Sequence, residues 1–176
     1  LLNLTLDFQK KYYPSKPIGV FHQDFEAQYT VTTEYVERTF QRLSQDPMVE
    51  LYWVCLPMAA RTCFSSYQMY WYPWDDTKQE LWVRPMPQHP YVIHLQNNPI
   101  TTYQYRMHQE DLAKQFGRWY RLSHGKQKTV CLLGIRADES LQRYSGILNK
   151  KYGYREQCWI SKQFKDTYCL LYTSDA

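Results

Sequence analysis

The chain has 176 residues, enough to bury one substantial core, and 44% hydrophobic with 22% charged residues excludes a disordered polymer. Its net charge of +4 is modest: it admits an anionic ligand but falls well short of the dense basic footprint that would by itself argue for duplex nucleic acid, which is left open only as a secondary partner. No apolar run approaches the roughly 18 to 20 residues that span a bilayer and no signal peptide precedes the first element, so no membrane partner is expected and the expected compartment is the cytoplasm.

Leu1, Leu4, Phe8 and Tyr12 recur every three or four residues, which predicts a helix ending before Pro14. Ile18-Gly-Val-Phe21 reads as a short buried strand running into a polar loop that carries His22, Asp24, Glu26 and Gln28. Thr30 is placed to cap the next helix, whose apolar stripe is Val31, Tyr35, Val36, Phe40 and Leu43. Val49 to Leu56 is the next buried strand, stopped by Pro57. Strand, helix, strand in that order argues for crossovers and a parallel sheet.

The alternation then lapses. From about 58 to 107 the chain holds scattered prolines and tryptophans and only brief strand-like pieces at 81–83 and 91–93, the signature of a long insertion of the kind that forms lids or binding surfaces. Tyr67, Tyr70, Trp71, Tyr72 and Trp74 within it suit either base stacking or packing of the insertion, and packing is the simpler reading. His89 and His94 near Asp75 and Asp76 fit no strong metal spacing. Leu112, Phe116, Trp119 and Tyr120 mark a further helix opened by Glu110 and Asp111.

Thr129-Val-Cys-Leu-Leu-Gly134 reads as a strand buried on both faces, ending in a charged loop with Arg136, Asp138, Glu139 and Arg143. Ser140 then caps a helix marked by Leu141, Tyr144, Ile147 and Leu148. A short apolar piece follows around 158–160. In an open parallel sheet, ligands collect at the carboxyl ends of strands, so the loops at 24–28 and 136–143 are the places to expect a site. An arginine fork there suits a phosphate or sulfate, and carboxylates beside it suit a ribose, an oxygen-bound metal or the arginine itself. Five cysteines without a CxxC pair are expected to be reduced and structural, with Cys55 and Cys131 buried in strands.

Leu133-Gly-Ile-Arg-Ala-Asp-Glu-Ser140 followed by Arg143 resembles the Gly-Ile/Leu-Arg-x-x-Glu-Ser-x-x-Arg motif of phosphoadenosine phosphosulfate reductases, in the adenine nucleotide alpha hydrolase or PP-loop superfamily. Phe21-His-Gln-Asp-Phe-Glu-Ala-Gln-Tyr29 and Tyr52-Trp-Val-Cys-Leu-Pro57 resemble a reductase-like branch of it, the one that includes immunoglobulin-binding regulator A. The resemblance covers residues 1 to about 150.

It implies an α/β fold with a doubly wound, mostly parallel Rossmann-like sheet, here a single partial nucleotide-binding domain over 1–176, incomplete at both ends. The family's first strand ends in a Ser-Gly-Gly-Lys-Asp-Ser phosphate loop, which would precede Leu1, and the last few residues, resembling translated adapter, are expected to be non-native. The implied ligand is ATP or phosphoadenosine phosphosulfate, with Mg left open, and the implied nucleotide-binding residues are Asp24, Glu26, Gln28, Arg136, Asp138, Glu139 and Arg143. No iron–sulfur cluster is expected, because the family's clustered cysteines and late nucleophilic cysteine have no counterpart here, and catalytic residues stay unassigned. Two alternatives stand beside nucleotide or sulfonucleotide binding: an adenylating ATP pyrophosphatase, and a non-enzymatic regulator that meets a protein partner through the aromatic insertion. Without its phosphate loop the chain is expected to bind nucleotide weakly or not at all.

Overall fold

The computed structural model describes residues 1–62 and 64–134, positions 141 and 145, and the strand backbones at 153–154, 157–164 and 167–172. It is a mixed α/β structure that divides into two compact units, residues 4–113 and residues 1–3 with 114–176.

The first unit is built on a βαβ crossover. Helix α1 (Leu2–Tyr12) ends ahead of Pro14 as its spacing predicts, and strand β1 (Ile18–Gln23) follows. Helix α2 (Thr30–Leu43) then returns the chain to β2 (Val49–Val54), which lies parallel to β1 in the register Ile18↔Val49 through Gln23↔Val54. The two-residue strand β5 (Val92–Ile93) pairs parallel to the far side of β2, giving the order β1-β2-β5. The central position of β2 explains its sequence: a strand paired on both sides and covered above and below must be apolar throughout its carboxyl half.

Phe40, Trp53, Cys55, Trp74 and Val92 form the core of this unit, with Val36, Trp82 and Tyr91 packed around it. Phe40 stands edge-on to Trp53 at 5.4 Å between ring centres. The stripe expected on α2 is corrected at its amino end. Phe40 and Leu43 are buried, but Val31 and Tyr35 face solvent. Thr30 is not the cap either: the cap position is Tyr29, and no side chain hydrogen-bonds to the helix amino end.

The aromatic insertion is a closed excursion. Its two ends are tied by backbone bonds from Ala59 N to Met107 O (2.9 Å) and from Gln109 N to Ala59 O (3.2 Å). Inside it are a small antiparallel ribbon, β3 (Ala60–Arg61) with β4 (Tyr70–Trp71), and a kinked 3-10 segment at Asp76–Leu81. The strand expected at 81–83 does not form, and the one at 91–93 does, as β5.

The second unit contains most of helix α3 (Gln109–Ser123), whose acidic first turn is the amino-terminal signal read from Glu110 and Asp111. Strand β6 (Thr129–Gly134) belongs to a four-stranded sheet with β7 (Gly153–Tyr154), β8 (Gln157–Phe164) and β9 (Thr167–Tyr172), in the order β6-β9-β8-β7. β6 runs parallel to β9, while β8 is antiparallel to both of its neighbours. The expectation that 129–134 is buried on both faces is thus corrected. β6 is the outermost strand of its sheet, and Val130, Leu132, Leu133 and Cys131 are exposed.

Candidate functional site

The loop leaving the carboxyl end of β1 carries three of the residues singled out from the sequence, and the fold uses two of them internally. Asp24 is completely buried. Its Oδ2 accepts the indole N–H of Trp53 at 2.6 Å, and its Oδ1 accepts the backbone N–H of Glu26 at 2.7 Å. Arg84 Nη2 donates to both oxygens, each at 2.6 Å, and Arg84 Nε donates to the backbone oxygen of Glu26 at 2.9 Å. A buried carboxylate without such partners would be prohibitively unfavourable, so Asp24 and Arg84 are mutually required.

Glu26 does for the insertion what Asp24 does for its own loop. Its carboxylate accepts the backbone N–H groups of Trp74 (2.8 Å) and Val83 (3.0 Å). Trp74 in turn donates its indole N–H to the backbone oxygen of Asp24 at 3.1 Å, and the Arg84 guanidinium lies 4.9 Å over the Trp74 ring. Glu26 and Trp74 both sit in the left-handed region, at φ 62° and 55°. For residues with a Cβ that conformation costs roughly 1–2 kcal/mol each, which the network of hydrogen bonds offsets. Segment 74–84 is therefore bolted across the carboxyl end of β1.

A parallel set of contacts holds the insertion farther on. Arg106 pairs with Asp75 at 2.7 Å and lies over the rings of Tyr72 and Tyr105, and Tyr105 donates to Asp76 at 2.6 Å. Burial pushes the Asp75 carboxyl upward, but its bonds from Thr77 and Arg106 outweigh that and hold it below the ordinary range. Tyr103 donates to the backbone oxygen of Pro57 at 2.7 Å, and burial raises its hydroxyl to about 12.

Between the insertion and the carboxyl ends of β2 and β5 lies a narrow cleft walled by Cys55, Trp74, Trp82, Met86 and His94, with about 230 Å³ of solvent-open space. Burial, and then the Asp24 charge, drive the Cys55 thiol far upward, so it is a neutral wall residue and no nucleophile. The aromatic residues of 67–74 do not share one stacking face. Trp74 is core, Tyr72 covers Arg106, and Tyr67 stands fully exposed.

Polar atoms without partners remain next to the bolt. His22, on β1, has its ring edge-on to Trp53 at 5.5 Å and to Phe40 at 6.3 Å. Burial there lowers its pKa from 6.5, and Arg84 adds to the effect, while Asp24 and the neighbouring Gln28 oppose it. Gln28 acts on His22 as a side-chain hydrogen-bonding neighbour, but neither His22 Nε2 nor Gln28 Oε1 makes a well-aligned hydrogen bond, Thr33 Oγ1 in the first turn of α2 makes none, and all three atoms are buried.

The depressed His22 pKa has a direct consequence for stability. Below pH 6.5 the unfolded chain takes up a proton that the folded ring resists. The contribution of this group is complete above that pH and is lost as pH falls toward the lower folded value. His22→Phe is expected to flatten this part of the acid limb, read as the denaturant midpoint at successive pH values, and an unchanged slope would count against it.

Arg136, Asp138, Glu139 and Arg143 lie outside the described residues. Among the described residues no group of three or more His, Cys, Asp or Glu side chains could hold a metal ion, and no helix is long and apolar enough to cross a membrane. Sequence reasoning missed Arg84; it placed Trp53 in a buried strand and Trp74 among the packing aromatics, as found, but not their hydrogen bonds to Asp24. Only the isolated buried-strand position of Trp53 offered a signal, because Arg84 lies in a stretch without periodicity, 60 residues from its partner.

The chain is 32% identical over 163 residues to a protein of Escherichia coli (strain K12) designated "Uncharacterized protein YbdN". The match takes in 92% of this chain and 37% of that relative's length. No family model matches the chain, and no solved structure matches it.

Proposed function

We propose that this chain is part of a Rossmann-like, phosphoadenosine phosphosulfate reductase-like domain that binds an adenine nucleotide or sulfonucleotide at the carboxyl end of β1. The observation that carries the reading is the buried polar group at the end of β1, where His22 and Gln28 have only each other without a well-aligned hydrogen bond and Thr33 Oγ1 has no partner, beside a helix amino end that no side chain caps. Unsatisfied donors and acceptors at a strand end and helix start are what a polar ligand with hydroxyl and phosphoryl groups would complete. Asp24 and Glu26 shape this site from behind by fixing the loop, and Gln28 is the residue of the three that faces a ligand. Arg136 and Arg143 are assigned to the phosphate or sulfate end by motif position.

The test uses a longer protein that contains this segment, titrated calorimetrically with ATP, adenylyl sulfate and phosphoadenosine phosphosulfate. Binding of one of them is expected, weakened about three- to tenfold by Gln28→Ala, the worth of one neutral hydrogen bond. Absence of binding to all three would sink the reading.

A second reading, a partner-binding regulator on the same fold, is favoured by the β3–β4 ribbon, whose connecting segment holds Phe64 and Tyr67 fully exposed. Partner association lost in Phe64→Ser/Tyr67→Ser, with nucleotide affinity unaltered, would select it.

A further inference from the structure

The cleft between the insertion and the carboxyl ends of β2 and β5 sorts its lining by polarity. Cys55, Pro57 and Trp74 form a buried floor, and Trp82, Met86 and Leu95 are half-buried walls. Both indole N–H groups are committed elsewhere, that of Trp74 to the Asp24 backbone oxygen at 3.1 Å and that of Trp82 to the Asp75 backbone oxygen at 3.0 Å. With the Cys55 thiol neutral, these side chains offer carbon and sulfur surface only. The mouth is polar, with Asp76, Gln79 and Gln96 exposed. Asp76 accepts a hydrogen bond from Tyr105 at 2.6 Å and, among the described residues, has no ion-pair partner. The charges around it are balanced: Asp75 pairs with Arg106, Asp24 pairs with Arg84, and the exposed Lys78 and Glu80 of the same segment cancel in sum. No lysine or arginine is among the described residues that line the cleft. His94 Nδ1 lies 2.6 Å from Gln96 Oε1. An amide oxygen accepts, so Nδ1 donates and the neutral ring keeps Nε2 as an acceptor.

We propose that this cleft binds a small primary amine, with its apolar end on the Trp74 floor and its ammonium at the mouth, where Asp76 is the countercharge and His94 and Gln79 supply further acceptors. Size, polarity and charge choose this class. The space of about 230 Å³, open to solvent, lies below the roughly 300 Å³ at which pockets for drug-sized ligands begin, so the occupant is a small molecule. An anion would meet Asp76 with no lining cation to offset it. A second charge at the far end of the ligand would be stranded on the apolar floor. A single ammonium on a short apolar stem satisfies both ends at once.

The test is an NMR titration of the isotope-labelled 176-residue chain with n-butylammonium chloride at constant ionic strength and about pH 7, where a primary amine is protonated. The indole N–H signals of Trp74 and Trp82 report binding, with Trp82→Phe assigning the second. A dissociation constant of about 1–10 mM is expected, the scale for a ligand of so few atoms. Asp76→Asn, which keeps the acceptor for Tyr105, is expected to weaken binding about three- to tenfold. Leu95→Trp, which fills the cleft without changing its charge, is expected to abolish the shifts, and circular dichroism checks that both variants fold. Sodium butyrate, with the same stem and opposite charge, and the diamine of equal length are each expected to bind at least about tenfold more weakly. The absence of shifts up to about 50 mM amine would overturn the proposal. So would equal affinity for butyrate or the diamine, or an affinity unchanged by Asp76→Asn.

Discussion

Arg84→Met is expected to lower the unfolding free energy by about 3–5 kcal/mol, because it leaves the Asp24 carboxylate buried with its charge uncompensated. The geometry makes the loss specific. Asp24 has no solvent contact, and Arg84 supplies two of its four short hydrogen bonds while also bonding the Glu26 backbone. Guanidinium denaturation measures it. The double variant Arg84→Met/Asp24→Asn is expected to recover much of the loss, since removing both charges removes the desolvation penalty along with the attraction. If Arg84→Met alone cost less than about 1 kcal/mol, the pair would be no more than a surface ion pair and the bolt would not exist as described.

Trp53→Ala is expected to cost a further about 3–5 kcal/mol in its own right, the range for removing a large aromatic from a packed core. Trp53 sits on the central strand, contacts Phe40 and His22, and gives its indole N–H to Asp24. Two losses therefore fall on one residue, a cavity and a missing donor. Trp53→Phe separates them: it fills most of the space and removes the donor alone, so it should cost roughly 1–3 kcal/mol. Equal midpoints for Trp53→Phe and Trp53→Ala in thermal and denaturant melts would show that packing at this site is unimportant.

The part of the fold that periodicity controls was legible. The helix of Leu4, Phe8 and Tyr12, the strands at 18 and 49, the helix between them and their parallel pairing follow from patterns of 3.6 and of short apolar runs. What was not legible depends on distant partners. Asp24 and Glu26 looked like ligand-facing carboxylates because a polar loop after a buried strand is a common binding position. Nothing local shows that Arg84, Trp74 and Val83 arrive from the insertion to engage them. The apolar run at 130–133 misled for the opposite reason, since hydrophobicity reports what a strand can bury and not whether it lies at a sheet edge. Val31 and Tyr35 misled similarly, matching the helical period but lying a turn beyond the part of α2 that meets the core.

The bolt between loop 24–26 and segment 74–84 also bears on the order of events in time. Its contacts join residues 48 to 60 positions apart, whereas β1, α2 and β2 are neighbours along the chain. The crossover itself closes 31 residues between Ile18 and Val49, so the longer closure costs only about 0.6 kcal/mol more in chain entropy. An insertion that docks after the crossover leaves Asp24 hydrated until Arg84 reaches it, and refolding kinetics test that order. Late docking is expected to show as a slower refolding phase that Arg84→Met alters while an earlier phase stays the same, and single-exponential refolding unaffected by Arg84→Met would exclude it.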